Sequence, residues 1–102
     1  MSEDGPQKLV KTLKALANPT RLKLIASLEE EPKHAYALAK EMGLSYPLTH
    51  LHLKGLRKLG LIEEINQETT AESRPVTKTY TPARFELVLT PESIREMMEE
   101  ED

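Results

Sequence analysis

The sequence predicts a mainly α-helical domain that carries one small β-hairpin, and three observations support this fold class. Apolar residues recur at helical spacing through most of the first 60 residues. After Gly60 the pattern changes to the alternation that is typical of short strands. A chain of 102 residues has room for one modest core, and a single Phe with no Trp leaves that core to aliphatic side chains. We therefore expect one domain over residues 1–102.

The first two helices are predicted from apolar periodicity and from the prolines at their starts. Pro6 suits a first helical turn and opens a helix over residues 6–17. Asn18 then stands as a capping side chain directly before Pro19, and this second helix continues to about Glu30, where Pro32 ends it. The apolar residues of the two helices are Leu9, Val10, Leu13, Leu16 and Ala17, and then Leu22, Ile25, Ala26 and Leu28.

A helix-turn-helix is predicted over residues 35–59. Leu38, Ala39 and Met42 lie at helical spacing, and Gly43 is a left-handed stop. Ser45 stands where a cap belongs, and Gly60 ends the next helix. The apolar stripe of that helix consists of Leu48, Leu51, Leu56 and Leu59. Two helices joined by two or three residues that include Gly are typical of the helix-turn-helix motif.

The rest of the chain predicts a wing and a final helix. Residues 61–65 and 76–80 have the pattern of two strands, and the polar segment between them completes a hairpin over 61–81. A helix-turn-helix followed by such a hairpin is a winged helix-turn-helix. Residues 85–89 form a third apolar run and a candidate strand. Thr90 caps a helix expected over 91–100, whose apolar side holds Ile94, Met97 and Met98.

The distribution of charge indicates one located binding surface. The net charge of −3 argues at first against a nucleic-acid partner. However, residues 44–60 carry Lys54, Arg57 and Lys58 and no acid, and residues 73–84 carry Arg74, Lys78 and Arg84, again with no acid. The acidic residues are gathered elsewhere in the chain. Two basic islands on an acidic protein favour double-stranded DNA as the partner.

Several classes of protein are disfavoured by composition. The absence of Cys removes disulfides, thiolate zinc sites and iron–sulfur clusters. No nucleophile, phosphate loop or carboxylate pair has recognisable spacing, and Glu63 and Glu64 should point to opposite faces of a strand. The acidic start has no apolar core, and no apolar run nears the roughly 20 residues of a membrane span. We expect a cytoplasmic protein without catalytic activity, cofactor, metal or membrane partner.

The second helix of the motif supplies most of the predicted DNA contacts. A helical wheel of residues 46–59 places the leucine stripe and Gly55 on one side, opposite His50, Lys54 and Arg57. Such a polar, basic face fits the major groove. We predict base contacts from Tyr46, Thr49 and His50, with Pro47 beside them, and phosphate contacts from Lys54, Arg57 and Lys58.

Five further residues have two interpretations each. Ser45 either offers a capped helix N-terminus to a phosphate or is a cap without a role on DNA. Arg74 is a candidate for minor-groove insertion and Lys78 for a flanking phosphate, unless wing charges only keep a loop soluble. His52 is predicted to be a hydrogen-bonded core or interface residue, and His34 a surface or capping residue, in preference to metal ligation.

Three fragments resemble the ArsR-like winged helix-turn-helix regulators: residues 16–25 (LANPTRLKLI), residues 38–45 (LAKEMGLS) and residues 52–62 (HLKGLRKLGLI). The resemblance implies a transcriptional repressor and a homodimer whose first and last helices pack on the partner. The corresponding interface residues here are Leu9, Leu13, Leu16, Ile94, Met97 and Met98. His34 and Tyr36 occupy the positions of the Cys-x-Cys pattern of metal-sensing members, and the last helix has no Asp-x-His pair. Metal sensing of that type is therefore not expected.

Two alternatives stay open at this point. A winged helix also serves for protein–protein contact in larger transcription complexes, and the overall acidity is compatible with that role. A small-molecule effector bound at the dimer interface is a further alternative, but no residue pattern identifies it. If the protein is a symmetric DNA-binding dimer, its site should be pseudo-palindromic, with half-sites about one DNA turn apart.

Overall fold

The computed structural model describes residues 5–67 and 77–100. In these ranges five helices and one antiparallel hairpin follow one another as α1 (Pro6–Leu16), α2 (Pro19–Glu30), α3 (Ala35–Met42), α4 (Tyr46–Lys58), β1 (Ile62–Gln67), β2 (Thr77–Pro82) and α5 (Pro91–Glu100). The hairpin pairs Glu64 with Tyr80 and Ile62 with Pro82. The predicted fold class, mainly helical with one hairpin wing, is confirmed.

Side-chain caps define where four of the helices begin, and at the start of α5 the predicted cap Thr90 accepts the N–H of Ser93 on Oγ1 at 3.0 Å. Asn18 Oδ1 accepts the backbone N–H of Thr20 at 2.9 Å at the start of α2. Ser45 Oγ accepts the N–H of Leu48 at 3.2 Å at the start of α4. His34 Nδ1 accepts the N–H of Ala37 at 3.2 Å at the start of α3, which confirms its predicted capping role. Gly43, with a φ of 68°, ends α3 in the left-handed conformation that glycine adopts without strain.

The hydrophobic core lies between α2, α3, α4 and the hairpin. Its fully buried side chains include Leu24, Leu28, Leu38, Leu53 and Leu56. Leu61, Ile62 and Tyr80 of the hairpin, with Ala15 of α1 and Ala35 of α3, complete the cluster. Because both helices of the motif and the wing share this core, burial fixes their mutual orientation.

A polar cluster ties α2 to α3. Ser27 Oγ donates to Glu41 Oε2 at 2.9 Å, and Lys33 Nζ donates to Ser27 Oγ at 2.6 Å and to Glu41 Oε1 at 3.1 Å. The hydrogen bonds from Ser27 and Lys33 hold the pKa of the Glu41 carboxyl below its usual value. The backbone of Lys33 also forms two hydrogen bonds with Tyr80, so this loop joins α3 to β2 as well.

The predicted buried faces of α2 and α4 are correct at Leu28 and Leu56, which are buried, and wrong at other positions. Leu22 is 51% exposed, whereas Leu24, Ser27 and Leu28 are buried. In α4 the buried residues are Thr49, Leu53 and Leu56, while Leu48 and Leu51 are 41% and 64% exposed. The leucines of α4 fit two overlapping apolar stripes. The stripe that packs against the core is the one that contains Thr49, Leu53 and Leu56. The Thr49 hydroxyl donates to the Ser45 carbonyl at 2.9 Å, which removes the cost of burying it.

The candidate strand over residues 85–89 is not formed. The sheet ends at Pro82, and residues 83–90 have no regular secondary structure. The apolar side chains of this segment are 38–60% exposed, so the segment does not bury a face against the core. They are Phe85, Leu87, Val88 and Leu89. No helix in residues 5–67 or 77–100 is long and apolar enough to cross a membrane.

Candidate nucleic-acid interface

The outer face of α4 is the centre of the candidate site. Because Thr49, Leu53 and Leu56 pack inward, the opposite side of the helix carries Pro47, Leu51, Lys54 and Lys58, all exposed. The edge of this face that lies nearer to β2 carries Tyr46, His50 and Arg57. Tyr46 is 50% exposed. The Tyr46 and His50 rings meet edge to face, with centroids 4.5 Å apart, so each restricts the orientation of the other.

Glu64 of β1 connects α4, the second helix of the motif, to β2 of the wing. Its Oε1 lies 2.8 Å from an Arg57 guanidinium nitrogen, and its Oε2 lies 3.5 Å from Lys78 Nζ. The Glu64 side chain is 16% exposed, whereas those of Arg57 and Lys78 are 49% and 65% exposed. Both cations therefore present part of their surface to solvent while one shielded carboxylate holds them at a fixed separation.

A shallow groove runs between α4 and β2. Its lining residues are Pro47, His50, Leu51, Leu53, Lys54, Arg57, Lys78 and Tyr80. A second depression continues it towards the start of α3, past His34, Tyr36 and Tyr46. No carboxylate is among the described residues that line either depression. Burial, and then the charge of Glu64, raise the pKa of the Tyr80 phenol, so this ring is a neutral group within the groove.

His52 has a structural role behind this face. Arg21 Nε donates to His52 Nδ1 at 3.1 Å, and the Arg21 guanidinium also donates to the carbonyl of Ala15 at 3.4 Å. Burial, and then the charge of Arg21, lower the pKa of the half-buried His52 ring. His52 is thus a hydrogen-bonded packing residue, as predicted, that links α4 to α2 and, through Arg21, to α1.

The structure brings most of the predicted DNA-binding residues to one side. Their outward group consists of Ser45, Tyr46, Pro47, His50, Lys54, Arg57, Lys58 and Lys78. Thr49 was predicted to contact bases, and this is wrong, since the residue is 0% exposed and its hydroxyl is bonded within the helix. Arg74 lies outside the described residues.

Sequence reasoning missed Leu48 and Leu51 as parts of this surface and Glu64 as the shielded partner of its cations. Glu64 is separated from Lys78 by the hairpin loop, and only the strand register places its side chain beside both cations. The exposure of the two leucines follows from which of two apolar stripes packs against the core. Tyr36, exposed to 64%, had no predicted role on DNA, and it lines the second depression.

A second, apolar surface lies on the terminal helices. Leu13, Ile94 and Met98 are 38%, 44% and 52% exposed, and Leu9, Leu16 and Met97 are half-buried. Helix α5 buries none of its residues within the chain. Leu16 also packs against the core cluster, so it serves the fold of one chain as well. Across residues 5–67 and 77–100, no group of three or more His, Asp or Glu side chains is arranged to hold a metal ion.

Comparisons with known proteins agree with this architecture. Residues 18–64 match the family model described as bacterial regulatory protein, arsR family. The chain is 33% identical over 93 residues to an HTH-type transcriptional regulator of Methanocaldococcus jannaschii, and the matched stretch covers 91% of this chain and 95% of the relative.

Solved structures share the fold at similar coverage. The homodimeric winged helix-turn-helix DNA-binding domain of a possible ArsR-family regulator from Mycobacterium bovis is 21% identical, with a TM-score of 0.62 over 97% of this chain and 84% of that domain. NolR from Sinorhizobium fredii is 25% identical, with a TM-score of 0.61 over 98% and 92% of the two chains. The chain therefore belongs to the ArsR family of winged helix-turn-helix transcriptional regulators, which are DNA-binding proteins and not enzymes.

Proposed function

We propose that the protein is a homodimeric, sequence-specific repressor that places α4 in the major groove of double-stranded DNA. The observation that carries this proposal is the outward face of α4, where Lys54, Arg57 and Lys58 lie together and no carboxylate is among the described residues that line the adjoining groove. An α-helix fits the major groove, and cations along it meet phosphates on either side. We treat residues 1–102 as the single domain that performs this function.

The proposed contacts divide between bases and backbone. Tyr46, Pro47 and His50 lie near the N-terminal end of α4, the part of a recognition helix that reaches base edges. Phosphates are the proposed partners of Lys54, Arg57 and Lys58, of Lys78 on the wing, and of the amides at the Ser45-capped helix start. Arg74 is proposed as a wing contact from the sequence alone.

The homodimer is proposed to form through α1 and α5. Leu13, Ile94 and Met98 leave apolar surface exposed in the single chain, and α5 has no buried residue there. Burial of these side chains, with Leu9, Leu16 and Met97, against a second copy would stabilise both copies. The relative from Mycobacterium bovis is described as homodimeric. The proposed target of this dimer is a pseudo-palindromic site, with one α4 in each half-site.

The experiment is a fluorescence-anisotropy titration of the DNA upstream of the protein's own gene, and of a random duplex, across a series of salt concentrations. We expect tighter binding to the upstream DNA and a steep decrease of affinity with salt. Lys54→Ala and Arg57→Ala should each reduce the slope of log K against log salt by about 0.9 for each phosphate that is no longer neutralised. Lys23→Ala, which removes an exposed charge from α2, is the matched control and should leave the slope unchanged.

Two outcomes would contradict the proposal. A folded dimer that binds neither duplex at low salt would exclude DNA as the partner of this face, and the same surface would then be tested for protein binding. Equal decreases in affinity from Lys23→Ala and Lys54→Ala would show that net charge, not the α4 face, determines affinity. The repressor role is tested separately by transcription in vitro from the upstream DNA. We expect the amount of transcript to fall as the protein is added.

A further inference from the structure

The outward face of α4 contains an apolar strip next to its cationic side chains. The strip consists of Pro47, Leu48 and Leu51, all exposed, with Leu51 at 64% and Leu48 at 41%. Leu51 follows the buried Thr49 by two positions, about 200° around the helix, so it points almost directly away from the core. The centre of the proposed DNA-binding face is thus a leucine without any hydrogen-bonding group.

We propose that Leu48 and Leu51 contact the C5-methyl groups of thymines in the major groove, and that the preferred site carries thymines at these positions. Thymine is the base that presents a methyl group in the major groove, and apolar side chains contact it there. A leucine offers no donor or acceptor to the edges of guanine or cytosine. This inference rests on the proposed function and specifies the base that the α4 face selects.

The charges around the strip favour DNA over another apolar occupant. Lys54 lies on the same side of α4 as Leu51, and Lys58 and Arg57 follow within two turns. The groove that borders Leu51 is lined by Lys54, Arg57 and Lys78, and its described lining includes no carboxylate. A second copy of the same face would bring like charges together, whereas the phosphates of a duplex complement them.

The tyrosine and histidine at the edge of the α4 face supply the polar part of the same contact. Tyr46 and His50 are held edge to face, with a 4.5 Å centroid separation, and carry a hydroxyl and ring nitrogens. The α4 face therefore joins two kinds of base contact on adjacent sides of one helix. Leu48 and Leu51 select methyl groups, while Tyr46 and His50 select hydrogen-bonding edges.

Uracil substitution tests the inference because uracil differs from thymine only by the missing methyl group. The probe is the upstream duplex amplified with either dTTP or dUTP, and affinity is measured by anisotropy at one salt concentration. We expect the wild-type protein to bind the uracil duplex about 4-fold more weakly for each thymine methyl group removed from the interface, or roughly 16-fold when each half-site is without one. Leu51→Ala should lower the ratio of the two affinities, and the double change Leu48→Ala with Leu51→Ala should bring it close to 1.

Matched variants separate a methyl contact from a general effect of uracil on DNA shape. Leu51→Met keeps an apolar side chain and should keep most of the thymine preference. Leu22→Ala truncates a leucine of similar exposure, 51%, on α2 and should keep all of it. Since Leu51 is mostly exposed, its truncation leaves no cavity and should not unfold the chain.

Three results would overturn the inference. Equal binding of the thymine and uracil duplexes by the wild type, with steep salt dependence retained, would leave the proposed function intact and remove the methyl contact. An unchanged thymine preference in Leu51→Ala and in Leu48→Ala would assign the preference to DNA shape. Failure of the wild type to bind either duplex at low salt would remove the proposed function, and the inference with it.

Discussion

At the scale of single residues, Glu64 connects the two elements of the candidate site, α4 and the hairpin. It is an acidic residue beside a surface that is proposed to bind an anion, and it reduces the charge available there. Each of its oxygens faces one cation, Arg57 from α4 and Lys78 from β2. The two ion pairs also join α4 to the hairpin.

Glu64→Gln should increase non-specific DNA binding. The amide is nearly isosteric but removes the counter-charge of Arg57 and Lys78, so the carboxylate no longer competes with phosphates for these two cations. We expect tighter binding to a random duplex, a slope of log K against log salt that is steeper by less than about one because both cations already meet phosphates in the wild type, and a smaller preference for the upstream DNA. Salt-series anisotropy measures all three quantities.

Glu63→Gln is the control for this prediction. Glu63 precedes Glu64 on β1, its side chain is exposed, and alternation along the strand directs it to the other face. The change removes the same charge without touching the two ion pairs. If both variants increase DNA affinity equally, the lower negative charge of the protein explains the increase, and the ion pairs of Glu64 with Arg57 and Lys78 have no specific role.

The pH dependence of stability should reveal the Arg21–His52 contact. Burial and Arg21 lower the pKa of His52 in the folded chain below its ordinary value of 6.5, so the unfolded chain binds the proton more readily. The stabilisation from the neutral ring is complete above about pH 6.5 and decreases as the pH falls through the lowered value. Urea unfolding between about pH 7.5 and 5 should therefore show a decrease in the free energy of unfolding that His52→Gln lacks.

His50→Gln provides the comparison for the pH experiment, because it removes a different histidine of α4 and leaves the bond between Arg21 and His52 in place. It should retain the decrease seen in the wild-type protein. A decrease of the same size in His52→Gln would show that protonation of His52 is not the source of the pH dependence.

At the scale of the elements, caps and prolines were the reliable signals in the sequence. Asn18 before Pro19 and Ser45 before Tyr46 predicted the starts of α2 and α4, because these side chains bond local amides whatever the rest of the fold does. The buried face of α4 was not predictable in the same way. Its four leucines, Leu48, Leu51, Leu53 and Leu56, satisfy two stripes, and packing against α3 and β1 selects one of them.

The candidate site was predictable to the extent that it lies on one helix. Lys54, Arg57 and Lys58 share a stretch without acids, and no tertiary information is needed to see it. The Glu64 ion pairs and the cluster of Ser27, Lys33 and Glu41 join residues from different elements, and only the fold brings them together. The position of Thr49 inside the core likewise required the structure.

Ser45 allows the stability of α4 to be separated from its contact with DNA. Ser45→Ala removes the acceptor for the Leu48 amide and should destabilise the chain by about 1 kcal/mol in urea unfolding. Ser45→Asp keeps a capping acceptor and should retain stability. It adds a negative charge where a phosphate is proposed to bind, so its DNA affinity should fall by more than that of Ser45→Ala.

The same exchange at the cap of α2 serves as the control. Asn18→Asp preserves a side-chain acceptor for Thr20 and Arg21 and adds one negative charge outside the proposed interface. It should reduce DNA affinity only slightly. If Asn18→Asp and Ser45→Asp weaken binding alike, the start of α4 does not approach a phosphate, and Ser45 is a cap alone.

At the scale of the whole molecule, the single chain is more extended than its length requires. Its radius of gyration is 16.5 Å, whereas a compact chain of this length has a value of about 13 Å. Helix α5 buries none of its residues, and Ile94 and Met98 remain exposed. These features support a second copy as the missing packing partner of α1 and α5.

Leu13→Asp should weaken the dimer and, with it, binding to a two-half-site duplex. The change places a charge in the proposed interface twice, once from each copy, so the dimer dissociation constant should rise by about 100-fold or more. Sedimentation equilibrium measures that constant. Leu22→Asp alters an exposed leucine of α2 and should leave the protein dimeric. A fully dimeric Leu13→Asp variant would exclude this part of α1 from the interface.

The most direct test of the central claim, that the outward face of α4 binds duplex DNA, is an NMR titration of the labelled protein with the upstream duplex. We predict that the largest shifts will occur in the amides of Tyr46, His50 and Lys54, in the Leu51 methyl groups and in Lys78, and that Leu13 and Ile94 will shift little. Shifts confined to α1 and α5, or no shifts at low salt from a folded protein, would contradict the claim.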